Sequence, residues 1–206
     1  MDIIGTLAGF GPLALLVVFA IVFIENGLLF PFLPGDSLVF AAAILAGALN
    51  VPWPAVVVIT AVAAIAGGEL GFVLGRRYGR RLFRPGSRAF KPEYLAETES
   101  FFEKWGKAAL VLARFVPIVR TYIAPAAGAS AMRHPVFSVW NAASGVIWAT
   151  VLGVAGYLLG SIPWVASNIE WIMLGIIAVT VAPVVITALA KRRRSAAVRK
   201  AAAELP

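Results

Sequence analysis

Four ionisable residues stand inside otherwise apolar sequence: Glu25, Asp36, Arg114 and Arg120. Two are carboxylates, which can exchange protons; two are guanidiniums, which stay charged and grip phosphate oxygens through a bidentate fork. Each costs about 2.5–3.5 kcal/mol at a bilayer centre on insertion scales unless it is paired or hydrated. Intramembrane charges of this kind mark ion or substrate pathways, and acids early in the chain can offset arginines late in it. The alternative is a purely structural ion-pair cluster, a weak source of stability because desolvation cancels much of the attraction. Glu69, in Gly67-Gly68-Glu69-Leu70-Gly71, is a fifth candidate; it either joins a proton path or reaches toward Arg76 and the interface. His134, between Arg133 and Pro135, reads as a surface residue on a turn. With no Cys and one His, thiolate chemistry, multi-His metal sites and most His-dependent catalysis are excluded, and no cofactor is expected.

The elements that carry these residues are those of a membrane protein. The chain is 61% hydrophobic and only 14% charged, with a mean hydropathy of +0.89. Soluble domains average about 45–50% apolar and about 25% charged. Segments 7–30, 55–75, 136–162 and 169–189 are apolar and long enough to span a bilayer. Two further apolar stretches, 31–50 and 108–132, are too short or too broken to cross. Pro31, Pro34 and Gly35 interrupt the first; Pro117, Pro125 and Gly128 interrupt the second, on either side of the two arginines. Both are predicted to be re-entrant. Gly67, Gly71, Gly75 and Gly79 recur every four residues and make a ridge that a second helix can approach closely. In the loop 76–107, Phe90, Tyr94, Phe101 and Trp105 recur near helical spacing and predict an amphipathic helix along the membrane surface. Trp53, Trp105 and Trp164 fall near the predicted interfaces and read as aromatic anchors.

Charge placement orients these segments. The net charge is +8, yet no Lys or Arg precedes Arg76; seven then fall between Arg76 and Lys91, and six between Lys191 and Lys200. Basic clusters beside apolar spans are the positive-inside signal, and no aromatic-basic module accompanies them that would suit nucleic acid. The N-terminus lacks the basic stretch of a cleaved signal peptide, so 7–30 is read as a retained span. Residues 1–190 are thus expected to form one transmembrane domain, with residues 191–206 a basic cytoplasmic tail. Both termini and the loop 76–107 lie on the cytoplasmic side. The first re-entrant segment then dips from outside and the second from inside, the signature of an all-α inverted-repeat transporter with two opposed re-entrant hairpins and about four full spans.

Glu25-Asn26-Gly27, then Pro31 and Pro34-Gly35-Asp36, resemble the first signature of the DedA family, also called the SNARE-associated or VTT-domain family. Gly68-Glu69 with Gly71, Phe72, Gly75, Arg76 and Gly79 is similar to its second, with Glu69 where the family usually has Asp. Arg114-Phe115-Val116-Pro117-Ile118-Val119-Arg120-Thr121, followed by Pro125, Gly128, Met132, Phe137, Asn141, Gly145 and Trp148, resembles its third. The resemblance implies a multi-pass protein of the bacterial cytoplasmic membrane. It further implies a flippase that uses the proton-motive force to return undecaprenyl phosphate, or another polyprenyl phosphate, to the cytoplasmic leaflet. On this basis Glu25 and Asp36 are expected to couple protons, and Arg114 and Arg120 to bind the lipid phosphate; Glu69 joins the proton-coupling candidates on its own chemistry, as an acid within an apolar span. A phosphatidylethanolamine flippase or scramblase, and a proton-coupled transporter of small solutes, stay open as alternatives, as does a homodimer. A lipid phosphatase is disfavoured because one turn-borne His supplies neither nucleophile nor partner.

Overall fold

The computed structural model of the chain describes residues 11–27, 35–79, 92–130, 132–168 and 171. Pro31, Pro34, Phe90, the segment 169–189 apart from residue 171, the tail 191–206 and most of the first basic cluster lie outside these residues. Among the described residues all regular structure is helical: α1 (Gly11–Gly27), α2 (Gly35–Ile44), α3 (Trp53–Tyr78), α4 (Pro92–Trp105), α5 (Ala109–Leu112), α6 (Pro117–Ala129), α7 (His134–Gly160) and α8 (Pro163–Ser167). Helices α3 and α7, of 26 and 27 residues, are long and apolar enough to cross a membrane. Helix α2, with 10 residues, extends only about 15 Å, half of a hydrocarbon core. Hydrogen-bonded turns then carry the chain to Asn50, whose left-handed φ of 51° ends the segment.

Helix α3 is the axle of the bundle, packed against α1, α6 and α7. Its glycine ridge is the reason. A methyl group on Gly67 would lie 2.8 Å from the Phe23 carbonyl oxygen of α1, and one on Gly71 3.3 Å from both Ala124 of α6 and the Asn26 carbonyl of α1. One on Gly75 would overlap the Pro125 backbone of α6. Backbone meets backbone along this ridge, the close approach that small residues permit in apolar surroundings. Around it, Val18, Val22, Val39, Val56, Ala64, Trp148 and Ala149 form one buried cluster, and Phe72, Ala113, Val119, Ile123, Ala127 and Phe137 a second. Leu16, Val58, Val62, Val146, Val151 and Leu158 point outward on α1, α3 and α7. That apolar rim suits a hydrocarbon surround, as soluble monomers rarely expose so much.

The stretch 108–132 is broken once, not three times. After α5 and a 3-10 turn (Ala113–Phe115), Val116 is extended (φ −114°, ψ 109°) and α6 starts at Pro117. A residue before proline is pushed out of the helical region, and proline at the first helical position sacrifices no hydrogen bond. Pro125 and Gly128, expected to contribute to the break, instead sit within one continuous α6. They are packing residues: Pro125 receives Gly75, and a Cβ at Gly128 would overlap the Phe72 carbonyl oxygen. The amphipathic helix also differs from the sequence pattern. Helix α4 turns Leu95 and Thr98 inward, with Phe101 and Phe102 half-buried against the bundle, while Trp105 is exposed beneath Lys104. Protein contact with α6 thus sets its buried face.

Candidate functional site

The N-terminus of α2 and the first turn of α6 meet inside the bundle. Gly35, first residue of α2, gives its N–H to Glu25 Oε2 at 2.9 Å. A Cβ there would occupy the space of that oxygen, so glycine is what lets the carboxylate of α1 reach the open end of α2. The first N–H groups of a helix have no partner within it, and its dipole favours an anion at this end. Asp36 follows in the same first turn. From the first turn of α6, Arg120 extends both arms of its guanidinium, one to Glu25 and one to Asp36. Glu25 is 4% exposed, Arg120 16% and Asp36 48%, so the triad runs from a buried end to an open one.

Arg114, three residues before α6 on the other side of the break, is 8% exposed and bound by neutral groups. Its Nε donates to Ser144 Oγ (2.8 Å), its Nη2 to Asn141 Oδ1 (3.0 Å) and the Ala64 carbonyl (3.4 Å), and its Nη1 to Asn26 Oδ1 (3.3 Å). The Trp148 ring lies 5.9 Å from the guanidinium carbon. The expected mutual offset of two acids and two arginines therefore resolves unequally. Among the described residues Arg120 pairs directly with both carboxylates, whereas Arg114 hydrogen-bonds neutral groups, lies by a ring face and feels Asp36 at longer range. Both arginines line one cavity with Asn26, Asn141 and Ser144; its volume is about 10 Å³, room for roughly one water.

Glu69 does not turn toward Arg76, which donates to the Met132 carbonyl and lies over the Phe72 ring. Three groups of α7 hold it instead. His134 Nε2 lies 2.7 Å and Ser138 Oγ 3.1 Å from Oε2, and Asn141 Nδ2 donates to Oε1 at 3.0 Å. His134, read from sequence as a surface residue on a turn, is half exposed but opens α7, stacks on Phe72 and pairs with Glu69. Asn26, Ser138, Asn141 and Ser144 carried no role in the sequence reading. The signal was there: His134, Ser138, Asn141 and Ser144 fall at helical intervals and mark one polar stripe on an apolar span. Among the described residues, no cluster of His, Asp and Glu is suited to a metal ion.

The VTT domain matches residues 33–158, more than half of the chain. The chain belongs to the DedA family. Protein DedA of Escherichia coli K12 is 39% identical over 199 residues, covering 94% of this chain and 90% of that protein. An uncharacterized membrane protein of Mycobacterium tuberculosis H37Rv is 43% identical over 185 residues, covering 87% and 80%. Inner membrane protein YqjA of E. coli K12 is 34% identical over 149 residues, covering 71% and 68%. No solved structure matches. This DedA-family chain is thus a membrane protein. The VTT match encloses Asp36, Glu69, Arg114, Arg120 and the polar stripe of α7, with Glu25 just before it.

Proposed function

We propose that the chain is a proton-coupled lipid translocase that moves a phosphate-headed polyprenyl lipid, most specifically undecaprenyl phosphate, to the cytoplasmic leaflet. The observation that carries this reading is the division of labour between the arginines. Arg114 is a buried cation held only by neutral acceptors, and Arg120 is held by two carboxylates that can take up protons. Protonation of Glu25 and Asp36 would free the Arg120 fork, and a lipid phosphate could then replace both acids as its anion. The positive ends of α2 and α6 face the same place, which favours an anion there further.

The cavity between the arginines is too small for a phosphate, so in this reading the structure is the closed, paired state. Separation of α2 from α6 would then open the site sideways to lipid. The small cavity also speaks against a solute transporter working through a standing aqueous chamber. The two short segments act in this proposal as opposed re-entrant arms, with the basic loop, both termini and the tail cytoplasmic.

The rival account is that the ion pairs only hold the helices together. Arg120→Gln combined with Glu25→Gln and Asp36→Asn separates the two, since all three charges of the triad are then removed together. If the charges matter only to each other, joint neutralisation restores lipid exchange in reconstituted vesicles. If Arg120 is the phosphate ligand, exchange and headgroup affinity remain lost. Wild-type values of both in the triple variant would decide for the rival.

A further inference from the structure

We propose that Asn141 is a positioning residue that reports the protonation of the Glu69–His134 pair to Arg114. The inference deepens the transport reading above, because it assigns that site a second proton-responsive input apart from Glu25 and Asp36. Its basis is the fixed orientation of one buried carboxamide. Asn141 Nδ2 donates to Glu69 Oε1 and to the Ile65 carbonyl, each at 3.0 Å, while Oδ1 accepts from Arg114 Nη2 at 3.0 Å. A carboxylate only accepts and a guanidinium only donates, so this amide satisfies both neighbours in one orientation and neither in the other. Gly68 makes the seat: a Cβ there would collide with Asn141 Oδ1 and lie 2.8 Å from Nδ2.

The far end of the chain of bonds is accessible. His134 is 53% exposed and Glu69 29%, whereas Asn141 and Ser144 are buried. Among the described residues the ionisable groups of the helices around α3 are His134 and Tyr157 on α7, Arg120 and Tyr122 on α6, Glu25 on α1 and Asp36 on α2, with Arg76, Arg77 and Tyr78 at the end of α3. Arg76 of α3 itself is bound to Met132, Arg133 precedes α7, and Asp36 pairs with Arg120. Among the described residues, His134 is the one ionisable group in direct contact with the Glu69 carboxylate. A proton that reaches the imidazole can pass from Nε2 to Glu69 Oε2, leaving a neutral imidazole and a carboxylic acid. No other reactant is needed.

The neutral acid keeps its O–H on Oε2, bonded back to His134 Nε2, and its Oε1 accepts less strongly from Asn141 Nδ2. The carboxamide is then oriented chiefly by the Ile65 carbonyl, and its bond from Arg114 Nη2, one of four that hold the guanidinium, loosens. Protons from the exposed side would thereby loosen the phosphate-binding arginine without touching the Arg120 triad.

Trp148, against the Arg114 guanidinium, supplies the readout, in an Asp36→Asn background because its indole also bonds the Asp36 carboxyl. Its emission is the difference between the protein and Trp148→Phe, measured with the full chain in vesicles of phosphatidylethanolamine and phosphatidylglycerol. The expected result is a step in that emission between about pH 5 and 8, where imidazole changes charge. Glu69→Gln and Asn141→Leu remove the step, His134→Gln shifts it, and Glu69→Asp restores it. A wild-type step in both Glu69→Gln and His134→Gln overturns the inference, and these partly exposed positions decide it even where Asn141→Leu does not fold. The step needs no lipid movement. Its presence beside a parent chain that exchanges no lipid would sink the transport reading alone, and its absence beside a parent chain that does would sink this inference alone.

Discussion

Replacing the two acids of the triad by their amides is expected to cost stability unequally, although each removes one negative charge beside Arg120. Glu25 is buried, and its two oxygens have two jobs: Oε2 accepts from Gly35 and Oε1 faces Arg120. In Glu25→Gln one of those oxygens becomes an NH2 group, so a donor faces either the Gly35 N–H or the guanidinium. A buried donor left without an acceptor costs about 1–3 kcal/mol. The larger loss of about 3–5 kcal/mol for a buried charge stripped of its partner is not reached, because Asp36 still compensates Arg120. Asp36 is half exposed, and in Asp36→Asn the amide oxygen still accepts from Arg120, so its loss stays under about 1 kcal/mol. Thermal unfolding of purified protein in one detergent reads the difference, at about 2–4 °C per kcal/mol for a chain this long. Equal unfolding temperatures, or a larger drop for Asp36→Asn, would refute the assignment of Glu25 as the buried member that caps α2.

Three other expectations follow from the same geometry. Gly75→Ala should destabilise the fold by about 1–3 kcal/mol less the roughly 1 kcal/mol of helix propensity alanine gains, because the new methyl meets Pro125 backbone, whereas Gly47→Ala, which meets nothing within 4 Å, should unfold like the parent. Lysine keeps charge but not the fork, so Arg114→Lys and Arg120→Lys should weaken headgroup affinity and exchange, and the alanine variants should abolish both; full activity in the lysine variants would mean that charge alone suffices. The chain has no cysteine, so single cysteines at positions 50 and 88 should label only from outside and only from the cytoplasm respectively, and the opposite pattern would reverse the topology.

The two long apolar helices α3 and α7 and the break at Pro117 were legible because a bilayer imposes long uniform segments and proline imposes a local rule. So were the residues of the triad, since a charge in such sequence stands out one position at a time. Which charge meets which was not legible. The sharing of Glu25 and Asp36 by Arg120, and the neutral cage of Arg114, depend on the crossing of α1, α2, α6 and α7, which no local pattern encodes. Pro125 and Gly128 misled for a related reason. Both are helix breakers in isolation, but the interlock with Phe72 and Gly75 holds α6 together across them. His134 looked like a turn residue because Pro135 follows it; proline at an early helical position marks a helix start just as well.

The central claim is that this chain moves a phosphate-headed polyprenyl lipid between leaflets at the expense of a proton gradient. Its most direct test is leaflet exchange of undecaprenyl phosphate beside phosphatidylethanolamine, in vesicles holding the purified protein with and without an imposed pH gradient. The account predicts protein-dependent exchange of the polyprenyl phosphate that the gradient accelerates and that Arg120→Ala eliminates. Exchange no faster than in protein-free vesicles, or equally fast with Arg120→Ala, would contradict it.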